Sequence, residues 1–200
     1  MGAVSGAVMK EFRPLLRHGL ANVPRRGLAS GAADQQMHYR RLAHMYRKAP
    51  VNAPERFDAR VRVFHEKAVI AMPPKPEFYH AAMALHGCNY FKMLDDAAFF
   101  AAQSVNTENF VVTTSFNTYI TRPVMASDDI PRMISTGRVT SASKSLILAE
   151  AVMTLPDGTE VARGSGTFMP HPKFTLQGIS TYDDPPELHE ADDAFWETIL

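Results

Sequence analysis

From Tyr90 to Gln103 the chain offers no polar side: Phe91, Met93, Leu94, Ala97, Ala98, Phe99, Phe100, Ala101 and Ala102 surround a helix of ordinary periodicity. Such a helix has to be enclosed by the rest of its domain. The residues C-terminal to it supply the enclosure. Phe110 to Ile120 is rich in Val, Thr, Phe and Tyr and stops at Arg122-Pro123, and Pro131 to Thr140 comes after a Ser-Asp-Asp turn. Ser145 to Leu155 leads into Pro156-Asp157-Gly158, and Thr159 to Met169 completes the set. β-Branched and aromatic runs between turn signals predict strands. Before the helix, Val61 to Met72 alternates in part and ends in Pro73-Pro74, which predicts one further strand that cannot continue. One strand, a buried helix and four successive antiparallel strands make an α+β pattern, an antiparallel β-sheet wrapped around a long central helix.

This set occupies residues 61–170. Residues 35–60 hold a helix and a linker: Gln35 to Lys48 places Met37, Leu42, Met45 and Tyr46 at helical spacing and stops before Ala49-Pro50. Residues 1–34 are rich in Arg, Ala, Gly and Val and poor in acids, the composition of a mitochondrial transit peptide or of a disordered basic tail. Within them Arg25-Arg26-Gly27-Leu28-Ala29-Ser30-Gly31 resembles a presequence cleavage region, so the mitochondrial matrix is the expected location and the cytoplasm the alternative. Residues 171–200 form an acidic tail in which Leu188, Phe195 and Ile199 suggest a short docking helix. Formal net charge is zero, which gives no global electrostatic case for nucleic acid or an acidic membrane surface. No apolar run reaches the ~18 residues of a membrane span. Cys88 is the sole cysteine, which excludes an intrachain disulfide and a cysteine-rich zinc site, and no other metal-ligand set is recognisable.

Five pieces occur in a fixed order: Leu85-His86-Gly87; Leu94-Asp95-Asp96-Ala97-Ala98; Ile120-Thr121-Arg122-Pro123-Val124; Asp157-Gly158; and Val161-Ala162-Arg163-Gly164-Ser165-Gly166-Thr167. In order and spacing they resemble the hotdog-fold thioesterases, specifically the phenylacetate-pathway and 4-hydroxybenzoyl-CoA-like branch. The resemblance covers Val61 to Met169. It implies a hotdog fold, hydrolysis of an acyl-coenzyme A thioester without a cofactor, and a homodimer or homotetramer whose active site lies between protomers. It assigns Asp95, nine positions after His86, as general base or nucleophile. It also assigns Thr113 to a hydroxyl that positions the water or the aspartate, although threonine is also what any strand prefers. This sequence departs from the pattern twice. His80 stands where many members carry an asparagine, and Cys88 replaces the second glycine of His-Gly-Gly.

The chemistry of the residues points the same way. Thioester hydrolysis needs a group that polarises the carbonyl and one that activates water or attacks the carbon. Backbone N–H groups near Gly87 and Cys88, at a helix start, are suited to a developing oxyanion. Asp95 sits about two turns further on, where a carboxylate in an apolar helix is costly without a purpose or partners. Asp96 comes four positions after Lys92 and reads as one half of an ion pair. His80 can donate as asparagine does and can titrate. Cys88 reads as a small buried filler or as a thiol activated at a helix start, and His86 as a residue holding the loop. Arg122, Arg138 and Lys144, at strand ends or turns, are candidates for the phosphates of coenzyme A, and equally solvated charges. The rival functions are a hotdog protein that binds acyl-CoA or assembles without catalysis, and a hydratase or dehydratase on the same fold.

Overall fold

The computed structural model describes residues 31–183 and 190–199. The targeting expectation therefore lies outside the described residues as far as residue 30. The first helix, α1 (Ala32–Lys48), begins earlier than Gln35 because Ala32, Ala33 and Asp34 extend it, an acid in the first turn suiting the helix dipole. Its buried stripe runs through His38, Tyr39, Leu42, Met45 and Tyr46, whereas Met37 faces out.

Residues 61–72 form two strands rather than one. β1 (Arg60–Phe64) and β2 (Lys67–Met72) make a hairpin with Phe64 opposite Lys67. The turn, His65-Glu66, carries no glycine or asparagine, yet Glu66 takes φ +56°. It is held by tertiary bonds: the Glu66 N–H donates to Ser104 Oγ, and its carbonyl accepts from the Val139 N–H. The central helix is α2 (Gly87–Gln103), and after it come β3 (Asn109–Ile120), β4 (Met133–Ala142), β5 (Ile147–Thr154) and β6 (Glu160–Thr175). All pairings are antiparallel, and the six strands lie in the order β1-β2-β4-β5-β6-β3. β6 outruns the expected end at Met169. Beyond Phe168 its neighbour β5 has ended and only β3 pairs with it, so Pro170 and Pro172 leave no ladder partner unserved on the open side.

The sheet wraps α2. Leu94, Ala97, Ala98 and Ala101 are fully buried against Ile70, Met72, Met133, Met153, Ala162 and Phe168. The closest approach is at Gly137 in β4, where an added Cβ would stand 2.1 Å from the Ala97 carbonyl oxygen. Tyr90, also buried, ties the helix to the segment after β3: its hydroxyl donates to the Arg122 carbonyl and accepts from the Val124 N–H.

The tail beyond residue 170 is more structured than a tail. After β6, the short α3 (Ser180–Asp183) brings the Tyr182 hydroxyl to His38 Nδ1 at 2.8 Å, while His38 Nε2 meets the Gln103 carbonyl at 3.2 Å. A carbonyl only accepts, so the proton sits on Nε2 and Nδ1 accepts from tyrosine. α4 (Glu190–Glu197) lies on the outer face of the sheet, where Trp196 packs on Val69 and Ala71 with Phe195 and Ile199 beside it. The Arg60 and Arg132 guanidinium groups lie 4.3 and 4.7 Å from the Phe195 ring centroid. Leu188, the third residue expected in this docking, lies outside the described residues.

Gly137→Ala is expected to lower the unfolding midpoint sharply, since overpacking against backbone costs about 1–3 kcal/mol or more. Gly87→Ala, whose Cβ would meet only Ile120 Cδ1 at 3.7 Å, should unfold close to wild type. Urea denaturation of the two variants side by side checks this, and equal midpoints would count against the packing described.

Candidate active site

α2 runs antiparallel along β3, which is the last strand of the sheet. Four residues at a spacing of four, Gly87, Phe91, Asp95 and Phe99, fall on one stripe of the helix and meet successive positions of the strand. Gly87 lies beside Ile120, and Phe91 meets Phe116 edge to face at 5.7 Å. Asp95 takes a hydrogen bond from Thr113 Oγ1 at 3.1 Å, and Phe99 packs on Phe110 at 5.4 Å. Because no strand among the described residues pairs with the outer edge of β3, the seam between stripe and strand opens to solvent. Phe116 was not singled out by sequence, and Phe91 only as one of several apolar candidates. Their signal was the regular spacing of Phe91 between Gly87 and Asp95, and the Gly-x-Gly of β6. A Cβ at Gly164 or Gly166 would stand 2.6 or 2.4 Å from the Phe116 ring, so the two glycines form its seat.

Asp95 is half-buried, and burial is the main reason its carboxyl is pushed up to about 6. The Thr113 bond opposes this by favouring the charged form; the charge of Asp96 adds to the rise, and Lys92 opposes it. Asp96, one residue on and therefore about 100° around the helix, faces α1. It accepts from Tyr46 Oη at 2.8 Å and from Lys92 Nζ at 2.5 Å, and Lys92 also lies over the rings of Tyr46 and Phe57. The expected Lys92–Asp96 pair is present, but as part of a half-buried joint between two helices. The two aspartates differ in environment more than adjacency suggests.

At the helix start His86 is the N-cap. Its Nδ1 accepts from the Cys88 N–H at 3.2 Å and lies 3.1 Å from Cys88 Sγ. Cys88 is exposed at the first turn, which corrects its reading as a buried filler. The cap corrects another expectation: the Cys88 N–H is committed to it, and of the two proposed oxyanion donors only Gly87 N–H takes no acceptor among the described residues. His80 is bound up in its own turn, where its Nδ1 accepts from the Ala82 N–H at 3.1 Å and Met83 adopts φ +58°. Its ring lies 6.3 Å from that of His86. The structure thus brings His80, His86, Gly87 and Cys88 together at one end, and Asp95 with Thr113 at another. Eight residues of helix, about 12 Å of rise, lie between Gly87 and Asp95.

The basic residues do not form one cradle. Arg122 is exposed near the start of α2, and its N–H donates to the Val161 carbonyl. Arg138 alternates with the inward Gly137 and lies opposite Lys67 and Glu150, so the sheet stands between it and the seam. Lys144 is in the β4–β5 turn, at the far end of β5 from Arg122. Among the described residues no three His, Cys, Asp or Glu side chains gather as metal ligands, and no helix is long and apolar enough to cross a membrane.

No family model and no curated protein matches this sequence. Solved structures do. The PaaI protein from the phenylacetic acid degradation operon of E. coli superposes with a TM-score of 0.61 at 15% identity, covering 70% of this chain and 97% of that one. This chain has the hotdog fold. A thioesterase family protein from Silicibacter pomeroyi shares the hotdog architecture with a TM-score of 0.58 at 23% identity, over 66% of this chain and 96% of its own. So does a Shewanella oneidensis protein related to the thioesterase superfamily, with a TM-score of 0.59 at 18% identity, over 68% of this chain and 97% of its own.

Asp95→Asn is expected to stabilise the protein at about pH 8 and to leave it unchanged near pH 3.5. The folded carboxyl holds its proton up to about 6, above its ordinary value of 3.8. Between those values the folded state binds more protons than the unfolded one, so stability falls as pH rises and is flat beyond. Denaturant unfolding of both proteins across this range measures it, and a constant difference at every pH would contradict the burial argument.

Proposed function

We propose that this protein hydrolyses an acyl-coenzyme A thioester to the free acid and coenzyme A, in active sites shared between two protomers. The observation that carries this reading is Asp95: a half-buried carboxylate, its acidity moved to about 6, bonded by Thr113 and opening on a seam along the sheet edge. A carboxyl tuned to this range is mostly ionised at neutral pH yet basic enough to take a proton. In the proposed reaction Asp95 takes a proton from water as the water oxygen adds to the thioester carbon, or adds to that carbon itself and is freed by water afterwards. The carbonyl electrons move onto oxygen, and their return expels the coenzyme A thiolate. The Gly87 N–H at the positive end of α2 stabilises the oxyanion.

One protomer cannot do this alone, because its Gly87 and Asp95 are about 12 Å apart along one helix, and a carbonyl carbon and its oxygen are neighbours. A second copy supplies the missing half and covers the open edge of β3, which otherwise invites uncontrolled pairing. The thioesterase names borne by the Silicibacter and Shewanella proteins support the reaction class. Arg122, at the helix-start end of the seam, is the basic residue best placed for coenzyme A phosphates. A second reading, an acyl-CoA-binding protein without catalysis, has its own support: the Cys88 N–H, one of the expected polar contributors, is spent on a local bond, and the Nδ1 of His80 is occupied in its own turn. We also propose a mitochondrial location, from the arginine-rich, acid-poor composition of residues 1–34.

Asp95→Asn should lower the rate of thiol release by about 100-fold or more with KM little changed, because a base acts in the transition state. The wild-type rate should rise as pH passes about 6. Asp96→Asn should weaken the α1–α2 joint and cost far less rate. An acyl-CoA panel with a thiol-trapping dye reads all three, and binding without thiol release would favour the second reading. Residues 1–34 fused to a reporter should carry it into mitochondria, and a diffuse cytosolic signal would argue for the plain basic tail.

A further inference from the structure

On the shared-site reading, the structure assigns Phe91 to the twofold axis of the dimer, where it meets Phe91 of a second copy and forms the wall between the two active sites. In a twofold interface, if residue i touches residue j then j touches i, and only a residue on the axis touches itself. Gly87 of one copy must lie by Asp95 of the other, and Asp95 of the first by Gly87 of the second. The two α2 helices then run antiparallel past each other, and the position that faces itself is the one midway between. Phe91 stands four residues from each and on the same stripe.

Two further observations fall on the same point without using Gly87 or Asp95 as markers. Phe91 is 44% exposed on a helix whose other large apolar residues are buried or half-buried, so its ring lacks a neighbour on one side. The open stretch of β3 runs from Thr113 to Ile120, with Tyr119 and Ile120 61% and 49% exposed, and its centre falls at Phe116-Asn117. An antiparallel strand pair formed by two copies of this stretch has its axis at that centre, and Phe116 is the ring against which Phe91 rests. Helix and edge strand therefore select one axis. Two phenylalanines meeting there, each backed by a Phe116, make an aromatic partition with one Asp95–Gly87 pair on either side. The Thr118 hydroxyl, buried with no hydrogen-bond partner among the described residues and next to Phe116 on the inner face, adds a polar group on each side of that partition.

The test is cross-linking at position 91. In the Cys88→Ser background, Phe91→Cys treated with a short bismaleimide should give covalent dimers on a denaturing gel, and Met37→Cys, exposed on α1, should not. Light scattering on the same samples reports the oligomer. Since truncation at 91 can loosen the dimer, Phe91→Arg and Phe91→Tyr are compared in parallel: arginine should repel itself across the axis and yield folded monomer, and tyrosine should leave the dimer intact. A dimer that does not link at 91, or one that tolerates Phe91→Arg, overturns the inference and leaves the shared-site reading standing. A stable, active wild-type monomer overturns both.

Discussion

The described fold is arranged around a helix most of whose surface has to be kept from water. α2 has alanines where it touches the sheet most closely, and β4 answers with Gly137, so that helix backbone and strand come together with no side chain between them. That contact fixes the height of the helix above the sheet, and thereby the depth at which every other residue of α2 sits. Tyr90 is drawn down far enough to bond the segment after β3. Asp95, two turns on, is held at the margin of the covered region, deep enough for its carboxyl to lose part of its hydration and shallow enough to keep an opening.

The order of the strands then decides where that opening lies. β3 comes directly after α2 in sequence but takes the edge of the sheet, beyond β6, so the helix is covered on the β2–β4–β5 side and left open along β3. Asp95 and Asp96 show how sharp the division is. One turns toward the seam and Thr113; the other, a single residue later, turns into the joint with Tyr46 of α1. Two carboxylates side by side in sequence thus belong to different parts of the protein, one to an accessible groove and one to the packing of helix on helix.

Much of this was legible in sequence because its causes are local. The unbroken apolar periodicity of α2 and the Val-, Thr- and Phe-rich runs between turn residues gave the helix and four of the strands. The family resemblance offered Thr113 as a hydroxyl for the water or the aspartate, and it bonds Asp95. What was hidden depends on distant partners. The β1–β2 turn has no turn residues because Ser104 and Val139 hold it. β6 continues through two prolines because its neighbour β5 ends first. Gly164 and Gly166 looked like a motif and prove to be the seat of a ring that comes from another strand. His86 Nδ1 takes up the Cys88 N–H, which residue types alone do not reveal. Arg138 and Lys144 were grouped with Arg122 by chemistry, and the pleat and the length of β5 separate them.

The placement of α4 bears on how the chain is made. Trp196, about 125 residues after the first hairpin, covers Val69 and Ala71 in it. During synthesis the hairpin emerges well before α4, and its outer face stays bare until α4 has left the ribosome. This contact spans most of the sequence and forms late for that reason alone. The interval is one in which an apolar strip on freshly made strands is open to chaperones or to other nascent chains. A chain cut short before Phe195 never leaves that interval, even though all six described strands and the whole of α2 are already present.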